Sequence, residues 1–435
     1  LGKALDNGLV SGRFTAIAHF RVKRNTCLPI LCHPVFEMIF DLDGTLRSNP
    51  NSIAIYFLRQ FLLLDAKLEI ESTPKQKEEA VTGFINRQNT LRSVRIPVND
   101  PVLIRARWLL GRVLSHLRLS DIQPGHGPGA VAERLDRFER WDFDHWPLKA
   151  ERHYPYLVYG THSLEASVAK GKGIPLLKEM NTRCCLVPKD FKGPRLISSE
   201  ATVNQYLQQG QMRKIMHYVN NHYLLKKSIQ LRDQTFNQLA ARDSYDNGSA
   251  TLDLSNASDT VSTTLVWYLL KDVPLLRSQL MSTRSDYMLY ADKKIKLVAF
   301  APMGSATCFP VETLVFWAIS MASVMLVRPQ YSKRAKLRDS KYPFSPSALS
   351  VSEIASQVRV FGDDVIVPLD ALDILSETLT RVGCSVNVSK TCYRTPFRES
   401  CGSEWINGSD VTIIRNRRYR YEVDRKFVNY PVLCE

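Results

Sequence analysis

The sequence predicts an α+β fold, helix-rich early and centred on an antiparallel sheet from about residue 250. Three observations lead there. Apolar residues recur at helical spacing over residues 53–68 and again over 203–225. Residues 250–254 have the length and composition of a buried strand. Over 358–368, apolar residues alternate into Gly362-Asp363-Asp364 and alternate out again, the pattern of a β-hairpin with two carboxylates at its tip.

In chain order, residues 1–50 show no periodicity and are expected to be irregular. The helix over 53–68 places Ile55, Leu58, Phe61, Leu62 and Leu68 on one face. A polar helix is expected over 74–92, and another over 103–119 once Pro97 and Pro101 have broken the pattern. Gly125, Gly127, Pro128 and Gly129 make a turn-rich loop. Residues 182–195 read as a short basic strand, and 203–225 as a long amphipathic helix. After the strand at 250–254, a helix starts near Ser258. The apolar run 313–327 is shorter than a bilayer span and carries serines, so it reads as a buried helix. Residues 328–352, rich in Pro, Ser, Lys and Arg, are expected to be an aperiodic, mobile surface connector. Helix returns over 371–382 and strand over 385–388.

A chain of 435 residues has room for two or three subdomains around a large core. Its 58 basic and 43 acidic residues leave a net charge of +15 and a pI near 9.4. That excess points to a polyanionic partner, with nucleic acid ahead of a membrane because no basic amphipathic helix stands out. Nine cysteines, odd in number and without C-x₂-C spacing, argue against a closed disulfide framework and suit reduced thiols in a cytosolic protein. The histidines lack H-E-x-x-H spacing, so zinc is not expected.

Adjacent aspartates on a tight turn repel each other, and a bound cation relieves the repulsion. Taken alone, a Gly-Asp-Asp triplet is a solvated turn; the rest of the chain gives it a context. Asp253 stands at the end of the 250–254 strand, and Asp259 follows six positions later as the chain turns toward a helix. A carboxylate there, beside Asp363 and Asp364, would complete a cage for two Mg²⁺ ions. Lys189, Lys192 and Arg195 form a cationic cluster suited to a triphosphate. Met303-Gly304-Ser305-Ala306-Thr307 precedes an apolar helix, and its small residues permit close approach by a backbone or a ribose. Lys390 follows the 385–388 strand.

The order of these pieces resembles that of motifs F, A, B, C and D in right-hand RNA-dependent RNA polymerases. The chain is most similar to the replicase catalytic subunit of single-stranded RNA bacteriophages of the levivirus or Qbeta type. HGPGA at 126–130, VPK and PR within 187–195, DLSNASD at 253–259 and PMG with ETLVFWAI within 302–319 carry the resemblance. FGDDVIVP at 361–368 and FRESCG at 397–402 complete it, and FRESCG and FWAI favour the phage group over narnavirus and ourmiavirus enzymes. The resemblance implies a right hand of fingers, palm and thumb, with an antiparallel palm sheet flanked by helices. In that scheme 1–50 is an N-terminal segment, and 51–249 is mainly fingers, including the basic strand 182–200 where NTPs enter. Residues 250–400 form the palm with inserted finger and loop segments, and 401–435 begin a truncated thumb.

By the same resemblance, Asp253, Asp363 and Asp364 are the metal ligands, and Asp259 is the ribose-sensing acid. Lys189, Lys192 and Arg195 bind the triphosphate, and Lys390 is the general acid for pyrophosphate. Gly304, Ser305 and Thr307 belong to the nucleotide site. The expected cofactor is two Mg²⁺ ions, with Mn²⁺ a substitute. The expected partners are RNA template and product, NTPs and host translation factors, without membrane or DNA, in the cytoplasm of a bacterial host. Motif B departs from the family, which usually has Met-Gly-Asn-Gly, so Ser305 or Thr307 would have to replace the asparagine at the ribose 2′-hydroxyl. The start at Leu1 and the short stretch after Gly402 suggest a truncated chain or an unusually small replicase.

Two other readings remain at this level. Phe40-Asp41-Leu42-Asp43-Gly44-Thr45 matches the D-x-D-G-T signature of haloacid-dehalogenase-type phosphatases, with Asp41 as nucleophile and Asp43 as acid/base. The βαβ alternation of that fold does not follow it. A non-catalytic RNA-binding protein would use the +15 charge but has no need of acids at a turn, since acids repel phosphates unless a metal intervenes.

Overall fold

A computed structural model describes residues 1–15, 20–64, 66, 71–161, 173–190, 193–328 and 350–414, with the backbone of 332–333, 345–346 and 348–349. It is an α+β molecule built on a three-stranded antiparallel sheet in the order Arg359–Phe361, Asp364–Pro368, Ser249–Leu252. The expected hairpin is thus present, and its second strand pairs with the expected 250–254 strand. Beyond Leu252 the chain pairs again, Leu254–Ser255 with Ser385–Val386. Thr251 also bridges Cys392, which draws the 387–392 turn against the same sheet end.

The helix Cys308–Val327 runs through the main core, packed against Pro101–Val113, Leu372–Arg381 and the hairpin strands. Its residues from Val311 to Met325 are buried almost without a break, including Trp317 at 0% exposure. At 20 residues and mean hydropathy 1.7 it is long and apolar enough to cross a membrane, but 83% of that window is buried inside the protein. An all-round apolar helix is what the centre of a large core requires.

A second sheet has the order Gly193–Ser199, Asn181–Asp190, Tyr287–Tyr290, Lys293–Lys296. The basic segment expected as one strand is therefore two antiparallel strands, Asn181–Asp190 paired with Gly193–Ser199. Its inner strand pairs in parallel with Tyr287–Leu289. The helix Pro74–Ser93 packs on the outer strand and opens with a full capping box between Thr73 and Gln76.

Several boundaries move. The expected 103–119 helix is Pro101–Val113, capped by Asp100, and the 203–225 helix is Thr202–Asn221. The helix near Ser258 is split into Ala257–Thr260 and Thr263–Leu269, the second capped by the Ser262 hydroxyl. The connector 328–352 falls largely outside the described residues, but its end is helical, Ala348–Gln357, because Val351, Ile354 and Ala355 recur at helical spacing against the core.

Residues 1–50 are not irregular throughout. Gly2–Ser11 is a helix that buries Leu5 and Leu9 in a second core with Phe14, Phe36, Phe40, Ile55 and Leu58. Phe397 and Ile406, on a sheet of Phe397–Ser400, Ser403–Ile406 and Ser409–Asp410, join it together with Val411 just after that sheet. Arg59, 1% exposed, binds Asp6 at 2.8 Å, Glu404 at 2.6 Å and the Val411 carbonyl at 2.8 Å, tying these segments together. The Asp41–Thr45 stretch is a tight exposed turn: the Thr45 N–H and hydroxyl both donate to Asp43, and Asp41 pairs with Arg47. The bridges that flank it, Arg13 with Thr45 and Phe40 with Leu46, are both antiparallel, so the phosphatase signature is a turn here. The eight described cysteines are free thiols.

Candidate active site

Phe361 pairs with Asp364, leaving Gly362 and Asp363 as the two-residue turn. Gly362 has φ 62°, the left-handed region such a turn demands, and a Cβ there would lie 2.9 Å from the Phe309 ring. Its N–H donates to Thr313 Oγ1 at 3.0 Å, and Phe361 meets Phe309 edge-on at 4.8 Å. The turn is thereby clamped to the first two turns of the central helix.

On the neighbouring strand Leu252 faces Val365, so Asp253 leaves the sheet beside Asp364. Asp253 does not stand open. Its Oδ2 accepts from Asn387 Nδ2 at 2.8 Å and its Oδ1 from Lys390 Nζ at 3.2 Å, while its carbonyl accepts from the Asn387 N–H at 2.9 Å. Burial works against the Lys390 ammonium, yet Asp253 and Glu399 beside it raise its pKa overall. Burial also raises Asp363, with Asp253 adding to the effect, and pushes Asp364 up to about 7, with Glu399 and Asp363 contributing. Among the described residues no group of three or more His, Cys, Asp or Glu side chains is arranged to hold a metal ion. Asp253 is held by Asn387 and Lys390. The donor set itself, all carboxylate oxygen under mutual repulsion, suits a hard divalent cation.

The basic hairpin faces these acids. Lys189 keeps an exposed side chain, yet desolvation lowers its pKa, with Arg195 adding to it, while Asp253 opposes. Arg195 and Lys390 in turn stabilise the Asp363 carboxylate. Lys192 lies outside the described residues. Gly304 brings the turn before the central helix onto this hairpin: the Ser198 N–H donates to the Met303 carbonyl at 2.7 Å, and a Cβ on Gly304 would lie 2.2 Å from the Ser198 oxygen. Ser305 and Thr307, expected at a ribose, are turned inward instead. The Ser305 hydroxyl donates to Gln208 Oε1 at 2.9 Å and lies 3.0 Å from that of Thr307, with exposures of 8% and 4%.

Asp259 is buried, and burial raises its pKa against the opposing pull of Arg87. Sequence reasoning did not assign Arg87, Asn387, Glu399 or Glu312. Glu312 sits one helical turn after Cys308, under the Gly362 turn; burial pushes it up to about 8, with Asp363 and Asp259 contributing. Glu312 and Glu399 were within reach, since they fall inside the motifs at 302–319 and 397–402, and Asn387 lies in the expected 385–388 strand; Arg87 has no signal near it.

Carboxylates at adjacent strand ends, opposed by a cationic hairpin, make a site with the chemical profile of nucleotidyl transfer on polyphosphates. The family model described as "RNA replicase, beta-chain" matches residues 161–335 and 344–420, more than half of the sequence, and the chain belongs to that family. It is 34% identical over 226 residues to the RNA-directed RNA polymerase beta chain of Enterobacteria phage fr, covering 52% of this chain and 36% of the relative. To the RNA-directed RNA polymerase subunit beta of Qbeta virus (strain MX1) it is 33% identical over 270 residues, 60% of this chain and 40% of the relative. The subunit beta of Escherichia virus Qbeta is 34% identical over 239 residues, 53% and 35% respectively. The matched stretch thus spans between a third and two-fifths of these relatives' length.

Proposed function

We propose that this chain copies RNA from an RNA template, joining nucleoside triphosphates by nucleotidyl transfer in the replication of a viral genome. The observation that carries the reading is the pairing of Leu252 with Val365. It sets Asp253 beside Asp363 and Asp364 at one sheet end, with Lys390, Lys189 and Arg195 around them. The three-stranded sheet and its helices are then the palm, the basic hairpin belongs to the fingers, and the segment after 400 begins the thumb.

Asp253, Asp363 and Asp364 would hold two Mg²⁺ ions, or Mn²⁺ in their place, which when bound neutralise phosphate charge and acidify the attacking 3′-hydroxyl. Lys189, Lys192 and Arg195 bind the triphosphate, lysine as a point charge and arginine as a fork. Lys390 holds a proton on Nζ within the pull of Asp253 and Glu399, and passes it to the departing pyrophosphate. Asp259 accepts a hydrogen bond from the ribose 2′-hydroxyl. Gly304 allows the tight packing that fixes the hairpin, and Ser305 and Thr307 secure that turn through Gln208 rather than touching the nucleotide. Template, product RNA and NTPs are the partners, in the cytoplasm of a bacterial host, with host translation factors as candidate accessory subunits.

The test is incorporation of labelled NTPs on an RNA template with Mg²⁺ by the purified protein. Asp253→Asn and Asp363→Asn are each expected to abolish it while leaving the thermal melt of the protein cooperative. Synthesis that survives both substitutions removes the carboxylates from the chemistry.

A further inference from the structure

The acid proposed to sense the ribose has a partner from a distant part of the chain. Arg87, on the helix Pro74–Ser93, donates from Nε and Nη2 to Asp259 Oδ2 at 3.2 and 3.0 Å. The neighbouring residue holds the helix in place. Gln88, 1% exposed, donates from Nε2 to the Asp259 carbonyl at 3.3 Å, and its Oε1 accepts from the N–H groups of Val298 and Ala299 at 2.8 and 2.9 Å. The same helix packs on the outer strand of the basic hairpin, so one rigid element touches both the triphosphate site and the ribose site. Arg87 stays 30% exposed at its side chain and Asp259 13%, so the pair is not fully sealed from solvent.

Both donors fall on Oδ2, so the guanidinium does not take Oδ1. Ser258 is a further side-chain partner of Asp259, and Glu312 and Cys308 nearby offer no countercharge. We infer that Arg87 is the positioning residue for ribose selection, fixing Asp259 by one oxygen so that the other meets the 2′-hydroxyl of an incoming nucleoside triphosphate. This rests on the polymerase reading above. A deoxynucleotide leaves the fixed acceptor without its hydrogen bond, and a desolvated acceptor without a partner is penalised. Without the guanidinium, the carboxyl is free to rotate or to bind a proton, and that penalty fades.

The experiment compares kcat/KM for an NTP with that for the matching dNTP on one RNA template, for the wild type, Arg87→Ala, Arg87→Lys, Asp259→Ala and the Arg87→Ala/Asp259→Ala double variant. Because each ratio comes from a single preparation, loss of folded protein cancels out of it. Arg87→Ala is expected to lower the NTP/dNTP ratio by about tenfold or more. Arg87→Lys should keep part of the preference, and the double variant should fall no lower than Asp259→Ala alone. The inference is overturned if Asp259→Ala lowers the ratio while Arg87→Ala stays within about twofold of wild type, or if the double variant falls below Asp259→Ala. An unchanged ratio in Asp259→Ala removes the ribose role itself, and with it the inference. Absence of any RNA synthesis by the wild type rejects the polymerase reading.

Discussion

Alanine at Gly304 would place a methyl group 2.2 Å from the Ser198 oxygen and 2.7 Å from its carbonyl carbon, with backbone on both sides of the clash. Neither partner can rotate away, so the turn and the basic hairpin must separate. Gly304 also has φ 123°, outside the regions open to L-residues, which costs about 1–3 kcal/mol. Overpacking adds about 1–3 kcal/mol. Loss of the 2.7 Å bond from the Ser198 N–H to the Met303 carbonyl adds about 1 kcal/mol more. The sum is about 3–7 kcal/mol. With an unfolding entropy of roughly 2.1 cal/mol/K per residue, 435 residues give about 0.9 kcal/mol/K, so Tm should fall by about 3–8 °C. Gly248→Ala is the control. It has φ 63° with nothing within 4 Å of the added methyl group, and should cost about 1–2 kcal/mol and shift Tm by roughly 1–2 °C. Differential scanning calorimetry on the three proteins, with KM for NTP measured beside it, reads both consequences. Equal Tm shifts for the two variants would refute the close-packing account. A KM unchanged in Gly304→Ala would refute the link between this turn and the triphosphate hairpin.

Two further outcomes follow from the charges around Asp253. Lys390→Met should lower kcat by about 10²–10⁴ while leaving KM for NTP nearly unchanged, as measured by steady-state incorporation; a loss below about tenfold removes the proton-donor role. Asp364, pushed up to about 7 from an ordinary value of 3.8, keeps its proton in the folded protein at pH values where the unfolded chain has released it. In metal-free buffer its contribution is therefore complete below about pH 4 and is lost as pH rises through about 7. Thermal melts in EDTA from pH 5 to 8 should show the wild type losing stability relative to Asp364→Asn, whose amide does not titrate; parallel curves would contradict the raised value.

The three-stranded sheet was legible because its signals are local. Alternation around Gly362 and the apolar strand before Asp253 each fall within a few residues, and period-two patterning specifies which face is buried. The side chains that complete the site were harder for a different reason. Arg87 reaches Asp259 across 172 residues, and no window of sequence contains both. Asn387 stands three residues before Lys390, but an asparagine after a strand reads as turn chemistry. Glu312 lies in a helix whose apolar composition announces a core, which hides a carboxyl raised by that burial. The reading of Ser305 and Thr307 turned on the same limit: hydroxyls beside a glycine look available to a ligand until Gln208, about a hundred positions upstream, is seen to hold them. The helix Gly2–Ser11 was missed because its apolar face is short and finds its partners in Ser52–Leu63 and in the strand Phe397–Ser400.

The Arg59 junction gives the first sixty residues a claim on the chemistry that their position does not advertise. Through Asp6, Glu404 and Val411 it joins the beginning of the chain to the sheet containing Phe397–Ser400. That strand touches the three-stranded sheet directly, since the Glu399 N–H donates to Thr251 Oγ1 and Arg398 Nε donates to the Ser249 carbonyl. Deleting the leading segment would expose Phe397 and Ile406 and leave Glu404 buried without its cation. A shortened protein that retains every motif from residue 125 onward would thus lack the support on which its carboxylate strand rests.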